Sequence, residues 1–368
     1  MSKLDELECL AHAPIVFAPN ETWRVYTGGK LFRQLRGVPD AQDSHYPEDW
    51  IASVSRAVNP RRDGQPALEG LSVVRDTDVP FALLVELFPE ALLGIAHLAK
   101  FGPTTGVLAK FLDSSVRLPI QAHPDDALAQ KHWGERFGKT ESWIIVATRP
   151  LGGVAPSILL GFKPGVTREQ FSKLVRKADS KGQVECLHHI PVKPGDAFLV
   201  TGRTAHAIGS GVFMIEVQQP SDLVIHTEQE CAGVPIAEET RHMGKGWEVG
   251  LEVFAYGGEE LDALMARARL EPQIVAREPG GSVAQIVSYK RTPHFAARKI
   301  IVGGRLAVAN ECFYAGAVVA GSGSLAGEFG EVALAPGDTF FVPISVPEVE
   351  YRGQGLEIIT ADPPALTV

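Results

Sequence analysis

The amino-acid sequence predicts a mainly β protein with two related β domains and helical segments inserted in the first. Of its 368 residues, 37 are glycine and 26 are proline, a proportion typical of many turns between short strands. From residue 184 onward the chain is a succession of short apolar runs such as VFMIEVQ and DLVIHT, and these indicate strand after strand. At roughly 100–200 residues per domain, the length favours two domains.

Periodicity and turn residues predict the individual elements. Leucines recur at spacings of three and four after residue 81, which is typical of a helix. A threonine at 167 precedes a helical pattern and is suited to cap it. The predicted elements are, in chain order, a strand at 15–17, helix over 81–115, strands at 117–123 and 141–146, helices at 167–180 and 258–270, and short strands from 274 to the end.

A weak internal repeat supports the two related domains. Residues 193–200 and 335–342 are each a Pro-Gly-Asp turn that leads into an apolar strand. In an ungapped alignment, His206 falls opposite Glu348. The repeat predicts two β units, the second without the histidine of the first. The alternative is that a Pro-Gly-Asp turn before a strand is simply common.

The charge balance argues against binding to nucleic acid or to an anionic membrane. The chain has 35 basic and 44 acidic side chains and a formal net charge of −9, whereas both of those partners need a basic face. We therefore expect neither partner. A small phosphorylated substrate remains compatible, because one or two local cations are enough to bind it.

The cysteines and the apolar runs indicate a cytoplasmic protein. The cysteines are scattered and form no CxxC pair, which is typical of free thiols in a reducing cytoplasm. The first residues carry early acidic groups and no long apolar core, so we expect no signal peptide. The most apolar run, from Phe81, is interrupted by Pro89 and is too broken to span a membrane. The four cysteines are Cys9, Cys186, Cys231 and Cys312.

Two histidines, a glutamate and a glutamine suggest a metal site. Gln121 and His123 are two residues apart on a predicted strand, so their side chains face the same side. Glu141 opens the next strand, and His206 follows the first Pro-Gly-Asp strand. Such a mixture of nitrogen and oxygen donors suits zinc or another divalent metal in an open, catalytic site. The alternative is that these histidines are structural, because the chain has 11 of them.

A second group of polar residues lies downstream of His206. Met214, Glu216 and Gln218 share one face of a predicted strand, and Asp222 and His226 follow. A carboxylate on an apolar strand is costly to bury unless it lines a cavity. The alternative is a sheet face that is open to solvent.

Several segments together resemble a known enzyme family. The segments are IQAHPDDALA, GKTESWIIV, GDAFLVTGRTAHAIGSG and IEVQQPSD, with WRVYTGGKL near the start. They cover roughly residues 20–225 in order, and they resemble the type I, zinc-dependent mannose-6-phosphate isomerases (phosphomannose isomerases). The resemblance implies two cupin-like β-barrels (jelly-rolls) in one chain. The expected domains are a metal-binding cupin domain over 1–250, with helical insertions near 81–115 and 167–180, and a cupin-like domain without metal over 251–368.

The resemblance also implies a site and a reaction. It implies one zinc ion per chain, an active-site lysine and acidic active-site residues. The reaction interconverts mannose 6-phosphate and fructose 6-phosphate through a zinc-stabilised enediolate. The implied zinc ligands are Gln121, His123, Glu141 and His206, and the implied active-site residues are Lys139, Glu216 and Asp222. For the catalytic roles, we expect Glu216 to be the base, Lys139 to neutralise charge or bind phosphate, Asp222 to orient Lys139 or a sugar hydroxyl, and His226 to shuttle protons.

One departure from the family leaves the substrate open. His226 stands where the family has an active-site arginine, and a histidine lacks that residue's permanent, forked charge. Arg203 and Lys245 are candidates to compensate. Two alternatives therefore stay open. One is an isomerase of an unphosphorylated or different sugar, and the other is a non-catalytic sugar-binding protein with two cupin units.

Overall fold

Antiparallel strands dominate the regular structure, which is a computed structural model that describes residues 2–59 and 64–367. They form sheets of nine, seven, five and two strands. This confirms the mainly β class. The strands are β1 (Ile15–Val16), β2 (Glu21–Thr22), β3 (Glu48–Ile51), β4 (Leu108–Ser114), β5 (Gln121–Ala122), β6 (Glu141–Thr148), β7 (Ser157–Phe162), β8 (Leu187–Pro191), β9 (Ala197–Val200), β10 (His206–Ile208), β11 (Val212–Gln218), β12 (Ile225–His226), β13 (Glu230–Cys231), β14 (Val234–Pro235), β15 (Arg269–Leu270), β16 (Gln273–Glu278), β17 (Gly281–Val287), β18 (Ala296–Ala309), β19 (Tyr314–Ala320), β20 (Gly323–Gly327), β21 (Gly330–Leu334), β22 (Thr339–Val342) and β23 (Glu348–Asp362).

The helices are short and lie between or beside the sheets. None in the described part of the chain combines the length and the apolar character needed to cross a membrane. The helices are α1 (Lys3–Leu10), α2 (Lys30–Leu35), α3 (Phe81–Leu87), α4 (Pro89–Leu93), α5 (Ile95–Phe101), α6 (Asp126–Trp133), α7 (Arg168–Arg176), α8 (Ser180–Glu185), α9 (Glu238–Arg241), α10 (Gly246–Glu252) and α11 (Leu261–Ala268).

Two sheets position the predicted site. The seven-stranded sheet has the order β15-β9-β6-β11-β4-β3-β2, and the five-stranded sheet has the order β12-β5-β10-β7-β8. Glu141 opens β6 in the first sheet, and His206 opens β10 in the second. Their side chains come within 3.3 Å of each other. The site therefore lies between the two sheets.

The remaining large sheet is mostly C-terminal. Its nine strands include β16 to β23, together with β1 from the start of the chain. Ile15 pairs with Phe341 and Val16 with Phe340, so the N-terminal strand completes a C-terminal sheet. Conversely, β15, which lies late in the chain, pairs with β9 and so joins the seven-stranded sheet.

Part of the predicted helix over 81–115 is wrong. The helical segment ends at Phe101, and residues 108–114 form strand β4. All seven residues of β4 are buried, and the strand is an inner one, paired with β3 and with β11. A strand buried on both faces shows no alternation, so its leucine and phenylalanine spacing imitates a helix. The helical part is itself broken at Gly94, where φ is 83°.

The strand predicted at 117–123 is shorter than expected. Only Gln121 and Ala122 pair as strand β5. Pro119 and Pro124 flank this pair and have no amide hydrogen to donate to a ladder. The short strand still holds Gln121 opposite His206.

The two Pro-Gly-Asp turns have the same local structure. In each, the aspartate side chain accepts a hydrogen bond from the amide three residues earlier, Lys193 to Asp196 and Ala335 to Asp338, both at 2.9 Å. The glycine has a positive φ in each turn, 92° at Gly195 and 81° at position 337. Each turn leads into a buried strand, β9 and β22. The sequence similarity therefore reflects a shared turn geometry.

Candidate metal centre and active-site cavity

Three buried side chains converge between the two sheets. The Nε2 atom of His123 lies 3.4 Å from Glu141 Oε2, and the Nε2 atom of His206 lies 3.3 Å from Glu141 Oε1. One ligand atom from each residue lies within 4.8 Å of the other two. Three donors at this spacing surround a volume that one metal ion fits.

Backbone carbonyls orient both imidazoles toward that centre. The Nδ1 atom of His123 donates to the Leu223 carbonyl at 2.7 Å, and that of His206 donates to the Thr204 carbonyl at 2.8 Å. These hydrogen bonds assign the proton to Nδ1 and leave Nε2 of each ring as an acceptor that faces the centre. Burial lowers the pKa of both histidines. Both rings are therefore neutral at neutral pH, the form that binds a metal.

Gln121 completes the predicted set. It is the cross-strand partner of His206, and its side-chain amide lies 3.2 Å from His206 Nε2. A half-turn of the amide exchanges its nitrogen and oxygen with little change in shape. The structure thus brings together all four residues that the sequence grouped.

The charge of Glu141 also suits a cation. Burial alone would raise its pKa, but the charge of Lys139, the largest opposing influence, helps to hold the pKa at about 2. Its Oε2 atom is buried and has no hydrogen-bond partner, although Lys139 Nζ lies 2.7 Å away. A buried, ionised and incompletely satisfied carboxylate beside two neutral imidazoles is a donor set that fits zinc or a similar divalent metal.

A cavity of about 790 Å³ opens beside this centre, and Glu216 lines it. Glu216 is only 2% exposed. Its Oε2 lies 3.0 Å from Lys110 Nζ, and its Oε1 lies 3.5 Å from Lys139 Nζ. Burial and the nearby charge of Glu141 raise the pKa of Glu216 in spite of these two lysines. The polar face of β11 is therefore buried, and its carboxylate borders a cavity, as the cost of burying a carboxylate suggested.

A cluster of three charged residues that line the cavity, Arg24, Glu48 and Lys110, was missed from the sequence, and so was Glu239. Glu48 is their centre. It accepts hydrogen bonds from Arg24 Nε at 3.0 Å, from Trp50 Nε1 at 2.8 Å and from the Tyr26 hydroxyl, and it pairs with Lys110 at 3.4 Å. The charges of Arg24 and Lys110 outweigh burial and hold the pKa of Glu48 well below its usual range.

Only one of these three residues left a signal in the sequence. Lys110 is a single charge within the apolar run GVLAKFL, and a buried lysine needs a carboxylate partner. Arg24 lies in an irregular segment, and Glu48 opens the short strand β3, in which all four residues are buried and no alternation marks one face.

Asp222 and His226 occupy the other side of the cavity. Asp222 pairs with Arg24 Nη2 at 3.4 Å and accepts a hydrogen bond from the Val58 amide at 3.1 Å. These contacts tie it to Arg24, whereas Lys139 was one expected partner. Burial, together with the charges of Lys139 and Arg24, lowers the pKa of His226 to about 4. His226 therefore carries no positive charge at neutral pH.

The residues expected to compensate for His226 lie elsewhere. Arg203 donates to the Glu252 carbonyl at 3.2 Å, and Lys245 is exposed. Neither is among the residues that line the cavity. Within the described ranges, the Lys and Arg side chains that line it are those of Arg24, Lys110 and Lys139.

Comparisons with known proteins find relatives and solved structures of one kind. No protein-family model matches the chain. The chain is 28% identical over 255 residues to the probable mannose-6-phosphate isomerase GmuF of Bacillus subtilis, which covers 68% of this chain and 73% of that protein. Its fold is similar to the crystal structure of the mannose 6-phosphate isomerase from B. subtilis, with a TM-score of 0.69 and 22% identity, over 95% of this chain and 99% of that one. It is also similar to a mannose 6-phosphate isomerase bound with zinc and yttrium, with a TM-score of 0.68 and 14% identity, over 96% and 100% of the two chains.

The relatives and the fold agree with the motifs from which the resemblance was first drawn. The similarity of fold covers 95% of the chain. The chain is thus similar in sequence, and over most of its length in fold, to mannose-6-phosphate isomerases.

Proposed function

We propose that the protein is an aldose–ketose isomerase that interconverts mannose 6-phosphate and fructose 6-phosphate, with one zinc ion per chain. Gln121, His123, Glu141 and His206 would hold the ion. The observation that carries the proposal is the position of Glu216, a carboxylate of raised pKa that borders a cavity beside this donor set. The names of the relatives, and the zinc bound by one structural neighbour, support the same reaction and metal.

The size of the cavity supports a small-molecule substrate. About 790 Å³ lies within the range typical of sites that enclose one small ligand. The apolar lining, which includes Leu112, Leu118 and Ile208, keeps water from the reacting atoms. The polar groups are concentrated at the metal end and around Arg24.

The chemistry that a bound zinc ion would supply is polarisation of the sugar carbonyl and stabilisation of the enediolate charge. The proton transfers fall to the chain's own residues. The Glu216 carboxylate removes the proton from C2 of the open-chain aldose and returns it to C1. A second proton moves from O2 to O1, and the product is the ketose. A raised pKa makes Glu216 a stronger base for the first step.

Lysines adjust the charge around this base. Lys139 Nζ lies between Glu141 and Glu216, so it is placed to neutralise negative charge that develops near the metal group. Lys110 holds the other oxygen of Glu216. Asp222 would orient Arg24 or a sugar hydroxyl. Neutral His226 would carry a proton between the sugar oxygens, a role for which its unpartnered Nδ1 is available.

The reaction is tested by following fructose 6-phosphate formation from mannose 6-phosphate by zinc-loaded protein. The control is the same protein after treatment with a chelator, then after zinc is restored. We expect turnover that disappears with the chelator and returns with zinc. Absence of turnover in protein that contains stoichiometric zinc would contradict the proposal.

A second candidate is an isomerase of an unphosphorylated sugar. The observation that favours it is the pKa of about 4 for His226, because a neutral imidazole attracts a phosphate less than an arginine does. Values of kcat/KM for mannose and for mannose 6-phosphate separate the two candidates. A preference for mannose would favour the second.

The finer architecture and the cellular location belong to the same proposal. We infer two cupin-like barrels, a metal-binding domain over 1–250 and a domain without metal over 251–368. The two Pro-Gly-Asp turns support a relationship between the two units. Four cysteines without a disulfide support a reducing compartment, the cytoplasm.

A further inference from the structure

The cations of the cavity differ in how firmly they are already paired. Lys139 Nζ lies 2.7 Å from Glu141 and 3.0 Å from His123 Nε2, at the metal end. Lys110 is 5% exposed and lies between two buried carboxylates, Glu48 and Glu216. Both lysines are therefore engaged with the base and the metal group, and neither is well placed to bind a distant part of a substrate.

Arg24, which lines the cavity, is fixed by a short hydrogen bond at Nε, whereas its two terminal nitrogens make longer contacts. Glu48 fixes its Nε at 3.0 Å, and its guanidinium lies over the Trp50 ring, 5.2 Å from the ring centroid. The contacts of its two terminal nitrogens are longer. Nη2 lies 3.4 Å from Asp222, which is 27% exposed, and Nη1 lies 3.3 Å from Asn59. Weak, partly solvated partners are readily supplemented or replaced by a stronger anion.

The position of Arg24 matches the far end of a sugar. A series of charged contacts leads along the cavity from the metal end to Arg24, which also pairs with Asp222. The contacts run from Arg24 to Glu48, Lys110, Glu216, Lys139 and Glu141. A substrate whose carbonyl lies beside Glu216 and Glu141 would direct its other end toward Arg24.

We propose that Arg24 determines the specificity of the site by binding the phosphate at the end of the sugar remote from the carbonyl. The guanidinium presents two parallel N–H groups, which match two phosphate oxygens, and its charge is permanent. The inference rests on the proposed function and adds the residue that recognises the anionic group. It also accounts for a neutral side chain at position 226, because the cation is supplied from another segment of the cavity.

The test compares two substitutions at this position with a matched substitution elsewhere. Arg24→Gln removes the charge and keeps hydrogen-bonding capacity, and Arg24→Lys keeps the charge but not the fork. The control is Arg149→Gln, because Arg149 also pairs with two carboxylates, Asp43 at 2.6 Å and Asp113 at 3.3 Å, but does not line the cavity. Steady-state kinetics with mannose 6-phosphate, and calorimetric binding of fructose 6-phosphate and of fructose, are measured for each protein.

We expect Arg24→Gln to raise KM for mannose 6-phosphate and Kd for fructose 6-phosphate about 10- to 100-fold. We expect its kcat and its Kd for fructose to stay within about threefold of wild type, because the side chain of Arg24 contacts Glu48, Asp222, Asn59 and Trp50 and not Glu216 or the metal donors. Arg24→Lys should lie between wild type and Arg24→Gln, and Arg149→Gln should resemble wild type. A merely structural role would weaken binding of both ligands equally.

The outcomes separate this inference from the function on which it rests. If wild type turns over mannose 6-phosphate and Arg24→Gln keeps full affinity for fructose 6-phosphate, the inference is overturned and the function stands. If wild type shows no turnover but binds fructose 6-phosphate in an Arg24-dependent way, the function fails and the recognition of the anion stands. Equal affinity of wild type for fructose and fructose 6-phosphate would overturn the inference directly.

Discussion

Lys110 Nζ on strand β4 lies 3.0 Å from Glu216 Oε2 on the neighbouring strand β11. The two residues are cross-strand partners in the pairing of β4 with β11. Both side chains are at most 5% exposed. The base that we propose is therefore tuned by a fixed cation that is buried in the same sheet.

Removing that cation should shift the pH dependence of the reaction. Burial raises the pKa of Glu216 and the charge of Lys110 lowers it, so Lys110→Met should raise this pKa further. A base must be ionised to act, so the acidic limb of the kcat/KM profile should move to higher pH, by about 1–2 units. The measurement is the pH profile of kcat/KM. Lys299→Met, which removes the partly exposed ion pair between Lys299 and Glu357, is the control and should leave the limb in place. An unmoved limb in Lys110→Met would show that Lys110 does not tune the base.

Glu216→Gln tests the base itself. The amide keeps the shape of the side chain but cannot accept the C2 proton, so we expect kcat to fall by about 10²- to 10⁴-fold. The zinc content should not change, because Glu216 is not one of the proposed ligands. Turnover and metal content are measured on the same preparation, with Glu357→Gln as the matched control. A variant that keeps most of its activity would assign the base to another group.

His123→Ala should abolish metal binding. It removes one of three donor groups that converge within 4.8 Å, and we expect zinc affinity to fall by more than about 100-fold. Elemental analysis after dialysis gives the zinc content per chain. The control is His188→Ala, because His188 is also buried but lies 2.8 Å from the Glu259 carbonyl, outside this group. One zinc ion retained by His123→Ala would rule out His123 as a ligand.

The metal group could be predicted from the sequence because its residues carry local signals. Gln121 and His123 are two residues apart in a predicted strand, and Glu141 and His206 each open a strand. Alternation decides which side a residue faces, and the order of the sheets then decides which residues meet. The anion end of the cavity could not be predicted, because Arg24 reaches it from an irregular segment and its partner Asp222 is 198 residues away. Contacts of that kind depend on tertiary packing and leave no periodic pattern.

The strands of the fold could be predicted where one face is exposed or a turn residue marks the boundary. The turns at Gly195 and Gly337 are examples, since the positive φ of each favours glycine. Strand β4 could not be recognised, because burial on both faces removes the alternation by which a strand is distinguished from a helix. The pairing of Ile15 with Phe341 could not be predicted from the sequence either. Strands so far apart in the chain pair only when the core has packed, and no local pattern indicates their partner.

Gly28 supports the segment that carries Arg24, and its substitution should lower stability. Gly28 exchanges backbone hydrogen bonds with Ser44 at 2.9 and 2.8 Å. A Cβ atom at this position would lie 1.7 Å from the Asp113 carbonyl oxygen. The clash is with a backbone atom, which cannot move aside as the end of a flexible side chain can. Gly28→Ala must therefore displace either the segment around Gly28 or strand β4, which includes both Asp113 and Lys110.

We expect Gly28→Ala to lower the free energy of unfolding by about 2–4 kcal/mol, as measured by equilibrium denaturation in urea. The control is Gly303→Ala, where a Cβ would meet nothing within 4 Å, and it should change the free energy of unfolding by less than about 0.5 kcal/mol. Because the displaced segment leads back to Arg24, Gly28→Ala should also raise KM for mannose 6-phosphate in the fraction that remains folded. Unchanged stability in Gly28→Ala would mean that this segment and β4 are not in contact at Gly28.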